Sequence, residues 1–424
     1  MRTFRAAAAA AALLAAGCSA ALVAPPNLFV PGSEPFKDVP PGHRNNLVPM
    51  IYVTDRLPEG NSAQGTVYGA RRSSSVGFGE LTAQFGSGPL PWEVFAAESL
   101  KEQRQTDLTV QITRANELGR FPESPGLAMP VGLSIVERKD AGLDASARSK
   151  FLALLHDAVA KGTRKEAYVF VPGAADSMES AAITLAGVWH FLGRDGVPIL
   201  YSWPGNGGGM GGAAYGRESA DFTLYHLREF LKLLGCSEDL ERVHVVAHAR
   251  GCDLVLNALR DLALAAGGDV LKAQKELKLD TLVLAAPDLE TDWVGARLSG
   301  DKLRYVPRRF VIYTGEGDGA GGWFSGTGQR LGDLKVAEFP PGIPESALKG
   351  PQLQIVQCRV TGTGTHEAWS THPGVLSDLI LVLRDRRDPG PENGRPLGRQ
   401  QNMFWVLTDD YLRRPPPAPP APAK

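Results

Sequence analysis

One stretch constrains this chain more than any other: Val243-His244-Val245-Val246-Ala247-His248-Ala249-Arg250-Gly251-Cys252-Asp253. A β-branched run enters it. A helix-forming run, Leu254-Val255-Leu256-Asn257-Ala258-Leu259, leaves it. A strand that turns at once into a helix needs small residues at the corner, because the backbone there is strained and closely packed. The apex of this corner is Ala249.

The rhythm around the corner extends the argument. From about Ser146, apolar residues recur at helical spacing through Ala160 (Phe151, Leu152, Leu154, Leu155, Val159). Ala167 to Val171 is then a continuous apolar run ending in Pro172-Gly173, which suits a strand buried on both faces. Asp176 or Ser177 is placed to cap the next helix, which carries Ile183, Leu185, Val188, Trp189 and Leu192. Val197 to Tyr201 reads as a strand, the glycine-rich stretch 205–212 as a loop, and Ser219 to Leu234 as a helix. Further strands are expected at Leu279–Ala286, Arg309–Tyr313 and Leu353–Cys358, and a last helix from Pro373 to about Arg384. This alternation predicts an α/β fold with a doubly wound, mostly parallel sheet.

Before it lies a β-rich extension, expected over 46–140, with strands at Leu47–Thr54, Leu108–Ile112 and Val131–Val136. The stretch holding Tyr68 to Gly79 reads as loop-rich, and no helix of note is expected. The α/β domain is expected over 141–390, and a C-terminal segment with a Pro/Ala tail over 391–424.

At 424 residues the chain can bury a large core. Its net charge of −1 supplies no basic field for nucleic acid. Arg2, Arg5 and the apolar run Ala6–Ala16 read as an export signal over 1–17, too short to span a bilayer. The run ends Leu14-Ala15-Ala16-Gly17-Cys18, which resembles a bacterial lipobox. That resemblance implies a lipid on Cys18, a membrane contact through it, and an outer-membrane address facing the periplasm. A Pro-rich tether is expected over 18–45. With Cys18 lipidated, Cys236, Cys252 and Cys358 remain, and no spacing among them suits zinc. No metal or cofactor is expected.

In open α/β sheets, functional groups gather at the carboxyl ends of the strands. Three such ends carry Ala249, Asp318 and His366, in the chain order nucleophile, acid, histidine. The acid would fix the imidazole tautomer and the imidazole would take the nucleophile's proton. The N–H of Arg250 and one near Gly173-Ala174 would form an oxyanion hole. His372 competes for the role of His366, and Asp318, set among glycines, also reads as an ordinary loop carboxylate. Cys252 lies a turn into the helix and is expected to pack rather than react. His248 and Arg250 flank the apex, where they read either as binding an anion at the helix N-terminus or as simply solvated. Trp203, Trp323 and Trp369 lie near strand ends, lining a pocket or packing the core.

The stretches Met50–Arg56, Val169–Gly173, Tyr201–Pro204, Ala247–Gly251, Ala285–Asp288 and Gln329–Gly332 together resemble a bacterial family of α/β-hydrolase-fold, esterase/lipase-like envelope proteins of unknown function. The resemblance implies Ala-His-Ser-Met-Gly at the corner, where this chain has Ala249 for Ser and Arg250 for Met. It implies His-Gly after the first buried strand, where this chain has Pro172-Gly173. A methyl group cannot attack a carbonyl. Losing a triad nucleophile removes most of the rate. The expectation is a catalytically degenerate hydrolase that binds an ester, acyl or other small ligand, or a protein partner. The alternative is an active ester hydrolase using another nucleophile, or water activated by Asp318 and His366.

Overall fold

The computed structural model describes residues 19–26, 34–124, 145–205, 209–315, 330–334, 353–362, 364, 366–401 and 404–413. Its strands are β1 (Ser19–Ala21), β2 (Leu47–Ser62), β3 (Gly65–Phe85), β4 (Thr109–Arg120), β5 (Glu166–Val171), β6 (Val197–Ser202), β7 (Arg242–His248), β8 (Leu279–Ala285), β9 (Arg309–Gly315), β10 (Leu353–Arg359), β11 (Gly398–Gln401) and β12 (Phe404–Thr408). They form one sheet in the order β1-β4-β3-β2-β6-β5-β7-β8-β9-β10-β12-β11. Every neighbouring pair from β2 to β12 in that order is parallel. β1, β4, β3 and β2 form an antiparallel flank, and β11 closes the other edge antiparallel.

The apolar runs explain the parallel part. Every residue of β5, β6 and β8 is buried, because helices cover both faces. Ala167, Val169 and Val171 point to one core with the helices Ala145–Val159, Gly209–Gly235 and Gly251–Ala265. Tyr168 and Phe170 point to the other, with the helices Met178–Phe191 and Pro373–Leu383. The chain leaves β5 for β6 on one side and later returns to β7 on the other. The carboxyl ends of β5 and β7 therefore flank the reversal point of the sheet, the place where open α/β sheets bind their ligands.

Several expectations need correction. Tyr68 to Gly79 is part of the long strand β3, not a loop. A Cβ at Gly79 would lie 1.9 Å from the Asn116 carbonyl oxygen, so a glycine marks close strand approach there. The β-rich region also contains a helix, Trp92–Ser99. The helix expected from Ser219 begins at Gly209, inside the supposed glycine loop. The expected tether is partly packed: β1 pairs with β4, and Leu22, Val39 and His43 are buried. The C-terminal segment supplies β11 and β12, the latter extending the parallel sheet beside β10. Cys18, Val131–Val136, Asp318, Trp323 and the Pro/Ala tail lie outside the described residues. Among the described residues no helix is long and apolar enough to cross a membrane.

Candidate functional site

β7 ends at His248 and a helix begins at Gly251, so Ala249 sits on the crest of the bend. Its φ is +48°, in the left-handed region that costs a residue with a Cβ on the order of 1–3 kcal/mol. The surroundings hold it there. Its N–H donates to the Ala285 carbonyl at 3.0 Å, and its carbonyl accepts from Cys252 and Asp288, each at 3.2 Å. Gly251 is required by contact: a Cβ there would lie 2.5 Å from the carbonyl oxygens of both Val171 and Pro172. The helix is thereby pressed onto the end of β5. A second crest occurs at Ala286, φ +44°, where β8 ends.

The loop after β5 faces this crest. An ideal Cβ on Gly173 would lie 3.3 Å from the Ala249 methyl, 3.4 Å from Asp176 Oδ2 and 3.6 Å from His248 Nδ1. Of the expected oxyanion-hole residues, Gly173 is therefore beside Ala249. Its N–H, however, already donates to Asp176 Oδ2 at 3.0 Å. Ser177, not Asp176, caps the next helix by accepting from the Ser180 N–H, which leaves the Asp176 carboxylate to turn back. Arg56 fixes this loop by donating to the Asp176 carbonyl at 2.8 Å, while its Nε reaches Ser202 Oγ at 2.9 Å. The buried Trp203 indole donates to the Pro172 carbonyl at 2.8 Å. Ala174 packs half-buried against the same core, and Arg250 opens the helix.

His366 reaches the same place. Its ring centroid lies 4.6 Å from that of His248, and its carbonyl oxygen lies 3.3 Å from His248 Nε2. Trp369, buried, closes the back of the group at 5.5 Å from the His248 ring. His372 serves elsewhere, as a helix cap. Its Nδ1 accepts from the Gly374 N–H at 3.2 Å at the start of the helix Pro373–Leu383. Burial lowers its pKa against the pull of Asp409, which suits a neutral acceptor.

A family model described as "Alpha/beta hydrolase of unknown function (DUF900)" matches residues 147–383, more than half of the chain. The chain belongs to this family. No curated protein and no solved structure matches it. The matched span of this alpha/beta hydrolase holds β5 to β10 and every residue around the crest except Arg56.

The remaining expectations in this alpha/beta hydrolase resolve as follows. Arg250 is engaged by carboxylates: it donates to Asp288 Oδ2 at 2.6 Å and lies 3.5 Å from Asp253. Arg330 approaches the other Asp288 oxygen at 3.5 Å, so two guanidinium groups share one carboxylate. The stretch 330–332 is tied to the end of β8 by Leu331 N–H to the Leu289 carbonyl and Gly332 N–H to the Pro287 carbonyl. Cys252 is buried, its Sγ lies 3.3 Å from the Ala247 carbonyl, and burial pushes its thiol pKa well up. It is a packed thiol, not a nucleophile.

Sequence reasoning did not single out Asp176 as a pocket residue, nor the buried Asp55–His226 pair. Asp55 Oδ2 lies 2.7 Å from His226 Nδ1 and also accepts from Thr223, pinning the helix Gly209–Gly235 to β2. The signal was present: Thr54-Asp55-Arg56 is a polar run directly after the apolar run Met50-Ile51-Tyr52-Val53 of the same strand.

Proposed function

We propose that this chain is a catalytically degenerate esterase/lipase-like hydrolase, held in the bacterial envelope by a lipid on Cys18, that keeps its crevice for binding rather than turnover. One observation carries the reading: the crest that would present a nucleophilic oxygen presents the Ala249 methyl, facing a loop whose Gly173 N–H is bonded to the chain's own Asp176 carboxylate. Acyl transfer needs an attacking atom and donors aimed at the developing oxyanion. The crest lacks the first, and one of the second is engaged. Retention of a strained φ at Ala249 and of Gly251 beneath it supports descent from a working elbow.

The test is reaction of the full chain with a fluorophosphonate probe and a panel of p-nitrophenyl esters. The expected result is no labelling and hydrolysis no faster than buffer. Turnover that disappears in His366→Ala would overturn the reading.

A further inference from the structure

We propose that His248, His366 and Glu367 bind a divalent transition-metal ion beside the Ala249 crest, with zinc the best match. This deepens the binding reading above by giving the ligand a chemical class, and rests on that reading only for the place of the site. One ligand atom from each of the three residues falls within 4.8 Å of the others. A tetrahedral zinc ion with bonds of ~2.1 Å holds its ligands about 3.4 Å apart. Rotation of the exposed Glu367 side chain toward the two imidazoles, of which His248 is buried, would bring the carboxylate to that spacing.

The surroundings of the His248 ring point the same way. His248 Nε2 lies 3.3 Å from the His366 carbonyl oxygen, and on its other side Nδ1 faces Asp176 Oδ2 at 3.9 Å, beyond hydrogen-bonding distance. A carboxylate behind the far nitrogen of a ligating histidine is the arrangement that orients such rings on metals, and Asp176 stands there. Two imidazoles and one carboxylate form a donor set that suits zinc and leaves a fourth position open.

The experiment equilibrates the full chain with Zn²⁺ or Co²⁺, removes excess, and reads bound metal by elemental analysis, affinity by calorimetry and the cobalt site by its visible spectrum. The expected result is one ion per chain. His248→Ala and Glu367→Gln should each weaken affinity at least tenfold, and Asp176→Asn about tenfold. His156→Ala, which removes an exposed histidine paired with Asp239, should change nothing. Glu367→Gln alters an exposed side chain, so its result does not depend on folding. No retained metal would overturn the proposal. So would an affinity left unchanged by Glu367→Gln, or a thiolate-to-cobalt band placing the ion on Cys236, the exposed free cysteine. Failure to bind metal leaves the degenerate reading standing. A loaded chain that hydrolyses an ester and loses this with Glu367→Gln supports the metal site and overturns the degenerate reading instead.

Discussion

The carboxylate of Asp176 accepts the N–H of Gly173 at 3.0 Å, directly opposite the Ala249 methyl. A donor that would serve an oxyanion thus has a permanent internal acceptor, and restoring the nucleophile alone does not free it. Ala249→Ser is expected to remain inactive toward p-nitrophenyl acetate. Ala249→Ser combined with Asp176→Ala should exceed it by on the order of 10²-fold, the worth of one oxyanion donor. Equal rates for the two variants would show that the carboxylate does not block the site. Arg56 still holds the 176 carbonyl in both variants.

A second prediction concerns the C-terminal segment. Asp378 is fully buried and accepts from Arg395 Nε and Nη2 at 2.7 Å each, from the Tyr313 hydroxyl at 2.7 Å and from the Tyr411 hydroxyl at 3.0 Å. Removing one partner of such a pair strands a charge. Arg395→Met should cost about 3–5 kcal/mol in urea unfolding, and Arg395→Met with Asp378→Leu should recover most of it. If the double variant were as unstable as the single, the stranded charge would not be the cause.

A third concerns acid. Glu166, at the start of β5, is buried, which raises its pKa. His244 at 3.5 Å, Arg164 at 3.6 Å and Arg242 at 2.8 Å outweigh that and hold it at about 2. The unfolded chain titrates this group near its ordinary value of 4.5 and so takes up the proton first as pH falls. The stabilisation is therefore complete above pH 4.5 and is lost as pH falls toward 2. Glu166→Gln should be less stable than the parent at pH 7, by on the order of 3 kcal/mol. The gap should narrow through that window when urea midpoints are compared. A gap constant from pH 7 to 2 would refute the assignment.

How much could be read beforehand follows from the kind of signal each feature carries. The crest at Ala249 was legible because a β-branched run, small residues and a helix-forming run meet there in sequence. β5 and β6 were legible because burial on both faces leaves unbroken apolar runs. β3 was not, because Gly77 and Gly79 make room for Arg120, Glu117 and Asn116 across the ladder, and glycine in isolation reads as a turn. β12 is short and gains its burial from β10, nearly fifty residues earlier, a partnership no local window contains. Asp176 and Ser177 read equally well as the helix cap; only the fold shows that Ser177 fills that role and that the Asp176 carboxylate turns toward Gly173. His366 is expected at the crest, but the structure seats it against His248, the residue before the apex.

The pairing of Ser19 with Gln111 sets how any anchor on Cys18 would behave. A diacylglyceryl group there would be joined to the rim of the sheet with no slack beyond a single residue, ~3.5 Å of reach. The molecule would ride flush on the leaflet, one flank against the headgroups, rather than sway above them on a leash. With β5 five strand spacings of ~4.8 Å away from β1, the Ala249 crest would then stand about 24 Å from the anchored rim.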